Sequence, residues 1–112
     1  MARFIRGDVV VVPFPFSDLT QAKRRPALVL AELEGDDRIL CQITSQNVRD
    51  RHAIELDDFD FEVGSLKQKS HIRPNRLFTC DIRIFLYQVG HLKRDKIDEG
   101  IEKVVEILRS QK

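Results

Sequence analysis

Groups able to grip a phosphate or carry a proton are unevenly spread along these 112 residues. The net charge is only +1, yet residues 1–30 and 65–94 hold most of the lysines and arginines, whereas residues 31–64 are strongly acidic. Arg25, closing the run Lys23-Arg24-Arg25, is permanently charged and presents a planar fork that matches two phosphate oxygens. Thr44 and Ser45 follow an apolar run and offer hydroxyls that can donate to a phosphate oxygen and fix its orientation. The chemically suitable proton carriers are His71 and Asp18, with His52 behind them. These types suit acid-base chemistry at a phosphate ester. Each also has a plainer account: an arginine before a proline is ordinarily solvated, and a strand threonine is ordinarily there for its β-branch. A histidine in a strand is more often structural than catalytic. Phe14 and Phe16 can stack on bases, but an aromatic beside a valine run is more often core; Phe14 is assigned to the core and Phe16 stays open.

If the fold brings the first and third segments together, a nearly neutral protein acquires a basic face suited to phosphates. Scattered, solvated charge is the simpler account of charge alone. The acidic stretch from Glu55 to Glu62 is expected to face away from any polyanion.

The elements that must position these groups are short. The length allows one domain with one modest core, so any site must be shallow or shared between subunits. Hydrophobic residues at 42% and charged residues at 33% exclude disordered, fibrous and membrane classes. The apolar run Val9 to Val12 is too short for a signal peptide or a membrane span, so a cytoplasmic protein is expected. Cys41 and Cys80 sit in apolar segments with no CxxC or Cys/His cluster. They read as core thiols in a reducing compartment, and no disulfide, metal site or cofactor is expected.

The valine-rich run at residues 8–14 favours an extended chain, which Pro13 and Pro15 then stop. Residues 16–25 lack either periodicity and read as a loop, with Pro26 starting the next strand at 27–33. Further strands are expected at 38–44, 51–56, 71–73, 77–84 and 87–92, with Phe59 and Phe61 at period two in the acidic stretch. From Asp95 to about Arg109 the period changes: Ile97, Ile101, Val104, Ile107 and Leu108 make one apolar helix face, with Asp95 as its cap. The fold class is mainly β: a small, strongly bent antiparallel barrel of the SH3-like or CcdB-like kind with a C-terminal helix.

Arg6-Gly7-Asp8-Val9-Val10, then Pro15-Phe16-Ser17-Asp18-Leu19, then Lys23 to Leu30 and Ile43-Thr44-Ser45 resemble, in order and spacing, the MazF/PemK toxins. Gly64 to Ser70, Arg73 to Asp81 and Val89-Gly90-His91-Leu92 continue the resemblance over essentially the whole chain. It implies a metal-independent endoribonuclease acting on single-stranded RNA, a homodimer with a groove over its interface, and a partner antitoxin that occupies that groove. The resemblance carries the two catalytic positions onto Arg25 and Thr44, and gives Arg73 as a further one. Asn75 stands where one branch has an aspartate, so no acid or base role carries over to it, because an amide does not titrate. Asp18 matches the family's loop carboxylate only with a shift in spacing. Ser45 and His71 are secondary candidates at the reacting phosphate. The RNA-contact set is Phe16, Lys23, Arg24, Gln46, Lys67, Lys69, Asn75 and Arg76. Binding of operator DNA, as a toxin-antitoxin complex or through a non-cutting relative of the gyrase-poisoning CcdB kind, is the competing reading; no membrane is involved.

Overall fold

Four consecutive valines, Val9 to Val12, are all buried, which a strand achieves only when both of its faces are covered. In the computed structural model, which describes residues 4–14 and 23–111, they form most of β1 (Asp8–Phe14). It is followed by β2 (Lys23–Glu32), β3 (Asp37–Thr44), β4 (Ile54–Leu56), β5 (Phe61–Gly64), β6 (Ser70–Asp81), β7 (Tyr87–Leu92) and α1 (Arg94–Arg109). The strands form one antiparallel sheet in the order β4-β6-β3-β2-β1-β7-β5. β4 and β5 are thus its two outer strands, yet residues 57–60 alone join them, through a 3-10 turn at Asp58–Asp60. So short a link forces the sheet to curl until its edges approach.

The curl creates an inside. Val9, Leu28, Ile43, Leu56, Phe61, Ile72 and Leu92, one from each strand, belong to one buried cluster, which α1 closes with Ile97. On the other face Val10, Val12 and Phe14 of β1 pack with Ala27 and Val29 of β2 and Leu40 of β3. Phe78 and Phe85 cover that second cluster, with the Phe78 ring 4.6 Å from that of Phe14 in an edge-on contact. Phe14 is therefore core, as expected.

Several boundaries differ from the expectation. β1 ends at Phe14 as expected, although its ladder includes Pro13, which pairs with Arg24; β2 begins at Lys23, ahead of Pro26. Lys23, Arg24 and Arg25 are consequently in a strand and not in a loop. The two strands expected at 71–73 and 77–84 are one, β6, and its last expected residues form a 3-10 turn at Ile82–Ile84. Residues 51–53 are a turn, leaving only Ile54–Leu56 as strand. At α1 the cap is Lys93 with no side-chain bond, while the Asp95 carboxylate accepts from the Lys96 N–H at 3.0 Å. Among the described residues no helix is long and apolar enough to cross a membrane.

Closure of the edge depends on Gly64, at φ +81°, where a Cβ would lie 2.1 Å from the Val89 carbonyl oxygen. Gly64→Ala is expected to cost about 2–4 kcal/mol of unfolding free energy, read by denaturant titration; a loss below about 0.5 kcal/mol contradicts the close β5–β7 approach. Both cysteines are free, and burial pushes the Cys41 thiol up to about 12, so it stays protonated and shielded at pH 8. A thiol-reactive dye should therefore label Cys80 slowly in the native protein and Cys41 only after unfolding. Ready labelling of native Cys41 contradicts the closed interior.

Candidate active site

The antiparallel register lines up residues from separate parts of the chain. Glu55 of β4 stands opposite His71 of β6, His71 stands opposite Thr44 of β3, and Arg25 of β2 stands opposite Val12 of β1. Between β2 and β3 the ladder ends at Ala27 with Gln42; carried two residues further, the same register brings Arg25 toward Thr44. Glu55, His71 and Thr44 make one cross-strand rung, a carboxylate, an imidazole and a hydroxyl in sequence, and Arg25 extends it by continuation of the β2–β3 register. Neighbours on such a rung have side chains about 5 Å apart at their Cβ atoms. Alternation puts all four on the sheet face opposite α1, because Ile43, Ile54 and Ile72 beside them enter the inner cluster. Gln42 and Arg73, themselves opposite one another, form the next rung on that face.

The polar atoms here differ from buried polar groups elsewhere. The Asp8 carboxylate accepts from the Ile5 N–H at 2.9 Å and the Gln88 amide at 3.0 Å, and lies 2.8 Å from His91 Nδ1. Buried Arg38 donates to the carbonyls of Phe4, Gly35 and Asp37. By contrast His71 Nδ1 and Arg73 Nε are buried with no hydrogen-bond partner among the described residues. Buried polar atoms are normally satisfied, so two open ones on one face mark a place prepared for a polar ligand. Thr44 is 7% exposed, and its Oγ1 accepts from the Gln46 N–H at 3.2 Å, which leaves its proton to donate elsewhere.

β6 carries the device that presents this face. Cys41 pairs with Leu77 and Gln42 with Arg73, so Pro74, Asn75 and Arg76 bulge out of the ladder. Pro74 has no N–H to lose and is buried in the bulge, while Asn75 and Arg76 are exposed. Asp50, in the connection after β3, ties the bulge down. It accepts from the His52 N–H at 2.8 Å and from the Asn75 side-chain amide, and lies 3.6 Å from Arg73 Nη2. The His52 N–H, helped by Asn75 and Arg73, holds the Asp50 carboxyl below the usual carboxylate range.

Other expected site residues are placed less centrally. Ser45 is exposed just past the strand, and Lys23 and Arg24 are exposed on β2 beside half-buried Arg25. Lys69 lies 3.6 Å from the Glu55 carboxylate. His52 lines a depression of about 360 Å³ with Arg51 and the last turns of α1, apart from the rung. Asp18 and Phe16 lie outside the described residues. The acidic stretch does not turn wholly away: Glu55 joins the rung, and Asp57, Asp58 and Phe59 share a depression with Lys67, Gln68 and Lys69. Glu55, Gln42 and Asp50 were not expected. The alternation Ile54-Glu55-Leu56 was the available signal for Glu55, and a lone glutamine within Ile39 to Ile43 for Gln42. Among the described residues no three His, Cys, Asp or Glu side chains converge as metal ligands do.

Asp50→Asn should lower the melting temperature at pH 7 by roughly 5 °C, about the worth of one charge-assisted hydrogen bond. Because the folded carboxyl titrates below its unfolded value, its contribution is present above about pH 4 and is lost as pH falls through the folded pKa. The gap between wild type and variant should therefore narrow as the pH falls below about 4. A gap that stays constant down to the lowest pH at which the protein is folded contradicts an ionised Asp50 clamp.

Comparison with known proteins gives a consistent answer. Residues 5–108 match the family described as PemK-like, MazF-like toxin of type II toxin-antitoxin system. A Deinococcus radiodurans MazF structure is 22% identical, with TM-score 0.76 over 97% of this chain and 99% of that one. The MazF of a Deinococcus radiodurans MazE-MazF crystal is 20% identical, with TM-score 0.77 over 99% and 100%. An endoribonuclease in complex with its cognate antitoxin, from a mycobacterial species, is 10% identical, with TM-score 0.76 over 98% and 99%. Comparison with curated proteins gives no match.

Proposed function

The chain belongs to the PemK-like, MazF-like toxins of type II toxin-antitoxin systems, and from that premise we propose that it cuts single-stranded RNA without a metal, at the rung of Glu55, His71, Thr44 and Arg25. The observation that carries this reading is one sheet face combining a guanidinium, a hydroxyl free to donate and an imidazole whose Nδ1 has no partner among the described residues.

In RNA the ribose 2'-hydroxyl attacks the neighbouring phosphorus, so the substrate brings its own nucleophile and DNA is not cut. His71 takes the 2'-hydroxyl proton. The new O2'–P bond forms, the P–O5' bond breaks, and the departing oxygen takes a proton from water, leaving a 2',3'-cyclic phosphate and a 5'-hydroxyl. Arg25 clamps the non-bridging oxygens and gains strength as negative charge gathers on them. Thr44 donates to one of those oxygens and fixes the line of attack. Arg73 adds a second positive group one rung away, held by Asp50. Asn75, which cannot titrate, supports Asp50 and carries no proton. Lys23, Arg24, Lys67, Lys69 and Arg76 hold the RNA backbone on either side.

The proposed setting is the cytoplasm, with an antitoxin covering the cationic face until it is released. A second copy of the chain packs on the partly uncovered outer cluster, where Leu77, Ile84, Leu86 and Tyr87 are exposed.

Purified protein should cut a mixed RNA pool in excess EDTA and leave 5'-hydroxyl ends. Arg25→Ala should lower kcat by at least about 100-fold, and His71→Gln should lower kcat and remove one inflection from the pH-rate profile. Full activity in both variants, or cleavage that stops on chelation, overturns this reading.

A further inference from the structure

Phe59 is 83% exposed, the most exposed large apolar side chain among the described residues. Isolated surface aromatics are common and need no explanation. This one sits on a locked support. The Asp57 carboxylate accepts from the Phe59 N–H at 3.0 Å, and the Asp60 carboxylate accepts from the Asp57 N–H at 2.9 Å, a reciprocal cap on the 3-10 turn. Asp58 accepts from the Ser65 hydroxyl, tying the turn to the segment after β5. Ser65 in turn accepts from the Lys67 N–H at 2.8 Å, and Lys67 is held at φ +61°, a left-handed conformation rare outside glycine. Asp57, Asp58 and Phe59, together with Lys67, Gln68 and Lys69, line a depression of about 260 Å³.

The depression adjoins the rung. β4 pairs Glu55 with His71 and Leu56 with Ser70, so the next step reaches Asp57 and Lys69, about 7 Å from His71 along the strand. Lys69 also faces the Glu55 carboxylate at 3.6 Å.

We propose that this depression is a nucleobase subsite, in which an unpaired RNA base next to the scissile phosphate stacks on Phe59 while Lys67 and Lys69 hold the adjoining phosphates. The inference rests on the ribonuclease reading and adds to it the means by which a neighbouring base is gripped. An aromatic side chain carried on a fixed turn and flanked by lysines is an arrangement that binds single strands, since every base has a π-face. The carboxylates of Asp57 and Asp58 repel phosphate, which draws the base and not the backbone toward the ring. They also accept from exocyclic amines, so adenine and cytosine bind more tightly than uracil. The Gln68 amide, with a donor and an acceptor, is the remaining group able to read a base edge.

The chain contains no tryptophan, so Phe59→Trp introduces a single indole reporter at an exposed position. Its fluorescence is titrated with 2'-O-methyl oligonucleotides of adenine, cytosine and uracil, which lack the attacking hydroxyl and stay intact. Quenching by the adenine and cytosine oligomers at lower concentrations than by the uracil oligomer is expected. On a cleavable RNA, Phe59→Ala should raise KM about tenfold with kcat within about twofold, and Phe59→Tyr should restore KM. Absence of quenching by all three oligomers overturns the subsite, as does an unchanged KM in Phe59→Ala. If wild-type protein cuts no RNA, the ribonuclease reading fails by itself, and the quenching titration still decides the subsite.

Discussion

The two outermost strands of a seven-stranded sheet are joined by only four residues, 57–60, and that tether governs the rest of the molecule. A flat sheet of this order would hold its edges far apart, at nearly 5 Å per strand step. The sheet must roll, and rolling makes an interior that one residue or more from every strand fills. α1 then covers only one side of that interior, so the strands that cross the back need a second apolar cluster. The face that carries it also carries the polar rung. Hydrophobic closure and site construction are therefore one event: Ile54, Leu56 and Ile72 turn inward, and strand alternation obliges Glu55 and His71 to turn outward.

This origin gives the site its character. Its groups are borne by paired strands and not by loop tips, so the rung is held by backbone hydrogen bonds that also hold the core. Such a frame can keep buried polar atoms without a partner among the described residues, as at His71 Nδ1 and Arg73 Nε, because relaxing them would require shifting whole strands. The exception is the bulge at Pro74, Asn75 and Arg76, where three residues leave the ladder and Asp50 supplies the lost order. At the Asp50 clamp and the Phe59 turn, side chains as well as the ladder set positions next to the rung.

Much of this was legible in the residues themselves. The valine run, the hairpin of β2 and β3 and the 3.6-residue period of α1 announced themselves, because burial on both faces of a strand and on one face of a helix leaves plain patterns. The strand bounds near Pro26 and Pro74 did not. Pro26 suggests a strand start, yet β2 begins earlier, at Lys23, so Arg25 lies in a strand and not in a loop. β6 read as two strands because Pro74 and Asn75 look like a turn; a bulge uses the same residues. Phe59 and Phe61 share a period of two but have opposite fates, exposed and buried, because Phe59 sits within the 3-10 turn whereas Phe61 begins β5, and strand parity does not extend into the turn. Glu55 could be recognised as a rung member only once register was known, since nothing local links it to His71, Thr44 or Arg25.

The most direct test is a crystal structure with an oligonucleotide carrying a 2'-deoxyribose at the cut position, which binds but cannot react. The guanidinium of Arg25 and the Thr44 hydroxyl should lie about 2.7–3.2 Å from the non-bridging oxygens of one phosphate, with the deoxygenated C2' facing the His71 ring. A strand of RNA lying across α1, or a phosphate held by residues 67–76 with Arg25 turned away, would contradict it.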